Sequence, residues 1–157
     1  MAVAIDLGTT TSCIAFWDNQ SRLIPITQEI HELPFRIAVQ QTDESVLVSD
    51  YAPTIATNNA KLISHLKFFI GKDFCDASLD SICKRYGLDT FFASDQPRNA
   101  PKNLQNVRHY IALFLARIKH IAETHLGRTV DEAVISIPCM FGIRQREEIK
   151  YCAQLGI

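Results

Sequence analysis

The residues with the clearest chemical potential lie in one short run, Ile5-Asp6-Leu7-Gly8-Thr9-Thr10-Thr11-Ser12-Cys13. One carboxylate, Asp6, interrupts the apolar segment from Val3 to Leu7. Gly8 follows, and four hydroxyl residues, Thr9 to Ser12, precede the return of apolar side chains at Cys13. Gly8 permits backbone conformations that other residues avoid. Successive N–H groups and hydroxyls at such a tip can form a concave site for a phosphate group. Asp6, at the strand end beside it, could hold a hydrated Mg²⁺ carried by that phosphate. Thr-rich turns are also common where no ligand binds. The chemistry alone therefore leaves both readings open, phosphate loop and plain polar hairpin. Cys13 is likewise open, either a quiet core thiol or a thiolate favoured by nearby positive potential.

Two strands and a short connection are needed to hold this tip. The apolar runs on either side, Val3–Leu7 and Cys13–Trp17, supply them. Leu23 to Thr27 reads as a third antiparallel strand after the turn Asp18-Asn19-Gln20-Ser21, and His31 to Pro34 as a loop. Ile37–Val39 and Val46–Val48 read as two short strands around a polar turn. From Ala52 to Asn59, and on from Lys61 to Ile70, the pattern is helical: Leu62, Ile63, Leu66, Phe69 and Ile70 fall on one helix face, and Gly71 supplies the stop. Lys67 lies in that segment and, by periodicity, reads as a solvated helix lysine. Lys72 to Lys102 reads as loop with one short helix near Leu79–Tyr86. Asn103 suits a helix N-cap. A broad stripe at Leu104, Val107, Ile111, Phe114, Leu115, Ile118, Ile121 and Ala122 then predicts a long helix ended by Gly127. Ala133–Ile137 is a buried-type strand closed by Pro138. Arg144–Ala153 is a helix with Ile149, Cys152 and Ala153 inward and Gly156 as its stop.

With 157 residues, 47% of them hydrophobic and 21% charged, the chain has the makings of one globular domain. Its 16 basic and 17 acidic residues leave a net charge of −1, so no basic surplus draws it to nucleic acid or an acidic membrane. Five cysteines show no CxxC pairing, and His109, His120 and His125 are not spaced as metal ligands. Reduced thiols and a cytoplasmic location are the expectation. No apolar run reaches membrane-spanning length, and Met1-Ala2-Val3-Ala4-Ile5-Asp6, without a basic start, is not expected to act as a signal peptide.

Read in order, three segments resemble one family, the seventy-kilodalton heat-shock chaperones, within the actin and sugar-kinase ATPase superfamily. The first is Ile5-Asp6-Leu7-Gly8-Thr9-Thr10-x-Ser12-Cys13, similar to the family's first phosphate loop. The second is Leu66-Lys67-Phe68-Phe69-Ile70-Gly71, similar to its Ala-Lys-Arg-Leu-Ile-Gly. The third runs from His125-Leu126-Gly127-Arg128-Thr129-Val130 through Ile137-Pro138-Cys139-Met140-Phe141 and Gln145-Arg146 to Leu155-Gly156-Ile157. The resemblance implies an α/β fold, the first lobe of an actin-like, ribonuclease-H-like ATPase with a smaller strand-and-helix insert. Residues 1–30 and 127–157 would form its core sheet and helix, and residues 31–126 the inserted subdomain with the long helix.

The resemblance also implies roles. Asp6 would hold Mg²⁺ through water; Gly8, Thr9, Thr10 and Thr11 would bind the phosphates of ATP or ADP; Lys67 would orient the attacking water. Pro138 and Arg146 would relay nucleotide state to a substrate-binding domain, although Gly142-Ile143 replaces the family's usual Asn-Asp on that surface. Implied partners are unfolded client polypeptides, a J-domain co-chaperone and a nucleotide exchange factor, in protein folding and stress response. A second phosphate loop, the lobe holding adenosine and the substrate-binding domain are expected to be absent from this stretch, so its own ATP hydrolysis stays an open question. Self-association of an uncovered half-domain is a further expectation. The iron–sulfur cluster assembly branch and a non-hydrolysing interaction module stand as alternatives.

Overall fold

A computed structural model describes residues 1–20, 22–26, 33–34, 36–40, 46–48, 60–72, 77–86 and 102–157. The organising unit is the hairpin of β1 (Ala2–Leu7) and β2 (Thr11–Trp17), antiparallel with Leu7 opposite Ser12 and Asp6 opposite Cys13. Period-two alternation puts Val3, Ile5, Leu7, Ser12 and Ile14 on one face, where all are buried, and leaves Asp6 and Cys13 exposed on the other. The quiet-core reading of Cys13 therefore does not hold, because alternation turns it outward beside Asp6.

β2 is flanked on its far edge by β3 (Leu23–Pro25), against Ala15–Trp17, and by β4 (Leu33–Pro34), against Thr11–Ser12. Leu33–Pro34 is thus a short strand and not the loop expected there; the free edge of β2 recruits it. A second, three-stranded sheet has the order β6-β5-β7, with β5 (Arg36–Gln40) between β6 (Val46–Val48) and β7 (Ala60–Ser64). Here the expected helix over Lys61–Ile70 gives way. Residues 60–64 pair with β5, His65 takes a left-handed conformation (φ 62°), and only Leu66–Phe69 coil, as a single 3₁₀ turn. The helical segment expected over Ala52–Asn59 lies outside the described residues.

Helices α1 (Ala77–Tyr86), α2 (Lys102–Leu126) and α3 (Ile143–Gly156) and strand β8 (Glu132–Ser136) complete the chain. β8 pairs parallel with β1, Asp6 opposite Ser136, a geometry that demands a long crossover. The stripe on α2 faces the core: Val107, Ile111, Phe114, Leu115, Ile118 and Ala122 are buried in one cluster with Val3, Ile5 and Leu7. Gly127, at φ 64°, ends α2 as expected. Gly156 is not a stop. It lies inside α3, where a Cβ would sit 2.4 Å from the Ala112 carbonyl oxygen, so its bareness lets α3 close on α2.

Candidate functional site

The polar turn between β1 and β2 is tightly wound. A Cβ on Gly8 would lie 2.0 Å from the Thr11 carbonyl oxygen, so no other residue fits without opening the turn. Thr10 is exposed, Gly8, Thr9 and Thr11 half-buried. Beneath them the Ser12 hydroxyl is buried and lacks a hydrogen-bond partner, a local cost of about 1–3 kcal/mol. The hairpin is therefore not built for its own stability alone.

Lys67 reaches this turn from the other sheet. The left-handed residue His65 redirects the chain after β7, and His65 is itself held by stacking on Tyr86, with ring centroids 4.1 Å apart. The 3₁₀ turn that follows buries Leu66 and Phe69 and sends the Lys67 ammonium back to β1, where it donates to the Leu7 carbonyl. Lys67 is not a solvated surface lysine. Burial pulls its pKa below the ordinary 10.5, and the nearby Asp6 carboxylate pulls the other way. Asp6 is exposed at the end of β1 and accepts a hydrogen bond from the Ser136 hydroxyl on β8. Asp6, Lys67 and the Gly8–Thr11 turn thus come together at one end of the sheet.

Pro138 and Arg146 form a second group. Past β8 the chain turns, with Phe141 N donating to Pro138 O at 3.0 Å. Arg146, in the first turns of α3, folds back over that corner: its Nε donates to Phe141 O at 2.8 Å and an Nη to Cys139 O at 3.3 Å. Gln145 joins the two groups. Its Nε2 donates to Ile70 O at 3.3 Å, next to the Lys67 turn, and its Oε1 accepts from Gly142 N at 3.2 Å. Gly71, at φ 64°, allows the approach, since a Cβ there would lie 2.8 Å from Gln145 Cα.

Sequence reasoning passed over Ser136 and Gln145. Ser136 shares the outward face of its strand with Val134, a pattern that becomes informative only once β8 is paired with β1. Gln145 entered only as the first residue of the Gln145-Arg146 match, with no role assigned to it.

A carboxylate, an ammonium and a turn of hydroxyl residues pared down at Gly8 lie at one end of the sheet, group types whose chemistry suits a phosphate carried with a divalent cation. Among the described residues no His/Cys/Asp/Glu group could by itself hold a metal, and no helix is long and apolar enough to cross a membrane. Cys13, Cys83, Cys139 and Cys152 form no disulfide.

A family model described as Hsp70 protein matches residues 2–156. The chain is 31% identical over 155 residues to a ribosome-associated molecular chaperone of Eremothecium gossypii, and 30% identical over 155 residues to the chaperone of the same description in Saccharomyces cerevisiae. Each match covers 95% of this chain and 25% of the relative, so the chain spans about a quarter of the length of the curated relatives it matches.

Proposed function

The chain belongs to the Hsp70 family, and from that premise we propose that it forms the first phosphate-binding lobe of an ATP-driven chaperone acting on client polypeptides. Its mixed α/β architecture is that of the family's actin-like ATPase domain. One observation carries the nucleotide reading: Lys67, delivered from a separate sheet, meets Asp6 and the Gly8–Thr11 turn at a single strand end. A solvated lysine and an ordinary hairpin would have no reason to converge.

In this reading Gly8, Thr9, Thr10 and Thr11 bind the β- and γ-phosphates through backbone N–H groups and hydroxyls. Lys67 orients the attacking water and steadies phosphate charge, and Asp6 holds Mg²⁺ through water. Mg²⁺, when bound, supplies charge neutralisation at the phosphates. Pro138 and Arg146 relay the state of the site, a role supported by Gln145 tying the Lys67 turn to α3. Gly142 and exposed Ile143 mark where this surface departs from the family.

Phosphoryl transfer needs clamping from several sides, and the described residues gather at one. Magnesium ATP titrated into the 157-residue chain is expected to shift the amide signals of Asp6, Gly8–Thr11 and Lys67 with roughly millimolar affinity, about 4 kcal/mol, and with hydrolysis at background. Lys67→Met should leave the Gly8–Thr11 shifts in place. No saturable shift at that turn would overturn the nucleotide reading and favour an interaction module. Micromolar affinity with turnover that Lys67→Met removes would overturn its one-sidedness.

A further inference from the structure

We propose that Ser136 is the positioning residue for Asp6, keeping its carboxylate presented to a divalent cation and apart from the Lys67 ammonium. The inference rests on the nucleotide reading above. Its observations are separate ones: the parallel register that sets Asp6 opposite Ser136, and the hydrogen bond from the Ser136 hydroxyl to Asp6 Oδ1.

Asp6 and Lys67 lie close enough for the carboxylate to act on the lysine, yet no ion pair closes between them. Each is held by something else. Lys67 donates to the Leu7 carbonyl, and Asp6 accepts from Ser136. If the two collapsed onto each other, one pair would consume the negative group that a cation needs and the positive group that a phosphate needs. Asp6 is exposed, so burial does not fix its side chain. An exposed Asp on a strand otherwise samples three staggered wells about χ1. The outward residues of β8 that share the face of Ser136 are Glu132 and Val134. Glu132 would repel a carboxylate, and Val134 offers no donor. Ser136 is the residue on that face of β8 that can both donate and reach.

Freeing Asp6 among its three rotamers cuts the cation-ready population to about a third, and apparent affinity falls with that fraction. Ser136→Ala should therefore reduce the preference for magnesium ATP over metal-free ATP about threefold, with metal-free affinity unchanged. Ser136→Thr, which keeps the hydroxyl and suits a strand, should restore the preference. The readout is amide shift titration of the 157-residue chain with ATP, with Mg²⁺ or with EDTA. A second measurement needs no nucleotide: the χ1 scalar couplings of Asp6 should report one rotamer in the parent and in Ser136→Thr, and averaging in Ser136→Ala.

A single Asp6 rotamer persisting in Ser136→Ala would overturn the inference whatever the nucleotide does. Averaged couplings with an undiminished magnesium preference would overturn the link to the cation. Equal loss of metal-bound and metal-free affinity would mark Ser136 as merely structural. If the parent chain shows no saturable shift at Gly8–Thr11 at all, the nucleotide reading itself fails and this inference falls with it.

Discussion

Cys152 lies where α3 meets α2, and it is fully buried. Burial pushes its thiol up to about 12, Glu148 adds to the rise, and Arg108 opposes it. The folded value lies above the ordinary 9.0, so the unfolded chain releases this proton first as pH rises. The associated stability is complete below about pH 9 and is lost towards pH 12. Urea unfolding of the parent should therefore fall more steeply across that window than unfolding of Cys152→Ala, by up to about 1.4 kcal/mol per pH unit. Matching slopes would show that Cys152 does not contribute. At neutral pH, exposed Cys139 should alkylate in the native protein and Cys152 only after unfolding. At this scale the sequence was most readable where residue type and neighbour order coincide, as at Asp6 and Gly8. Ser136 was not readable, because its meaning comes from a partner 130 residues away.

Elements were legible where periodicity was long and unopposed. The α2 stripe, the β1–β2 hairpin and the strand before Pro138 follow directly from their apolar spacing. The segment from residue 60 to residue 70 was not, because Leu62, Ile63, Leu66, Phe69 and Ile70 satisfy a helix face and a strand-then-turn equally well. Pairing with β5 decides it, a case of tertiary contact overriding local pattern. The element that results ends at Gly71, and Gly127 offers a matched control. Both glycines have φ 64°, but a Cβ on Gly71 meets the Gln145 backbone at 2.8 Å while a Cβ on Gly127 meets nothing within 4 Å. Gly127→Ala should cost only the left-handed backbone penalty, about 1–2 kcal/mol. Gly71→Ala should cost more, and should also disturb the amide signals of Gln145 and Arg146. Equal unfolding midpoints for the two variants would contradict the contact between the Lys67 turn and α3.

At the scale of the molecule, the five-stranded sheet has one face packed on α2 and another that carries Asp6, Cys13, Val134 and Ser136. Val134 is 62% exposed on that face, and among the described residues β8 pairs only with β1. An exposed valine beside a strand edge unpaired among the described residues favours association. Light scattering of the 157-residue chain should show apparent mass rising with concentration, and Val134→Lys should lower that rise. A constant monomer mass in both proteins would show that this face is already satisfied.

The parallel pairing of β1 with β8 has a consequence in time. β1 waits for a strand made long after it to close this side of its sheet: Ala2 pairs with Glu132, and the Met1 ammonium binds Asp131 at 2.8 Å. At about 5–20 residues per second of synthesis, the gap of 130 residues is roughly 7–26 s. Throughout it, the β1–β2 hairpin exists with one edge bare and Asp6 without its neighbour. Non-local pairing of this kind is slow even in a finished chain, because loop closure precedes any reward from contacts. A nascent chain of this sequence is therefore a hairpin awaiting its sheet until β8 is made, with Val3, Ile5 and Leu7 uncovered until α2 has emerged to bury them. By this clock β1 spends those seconds as unfolded chain, its apolar face open.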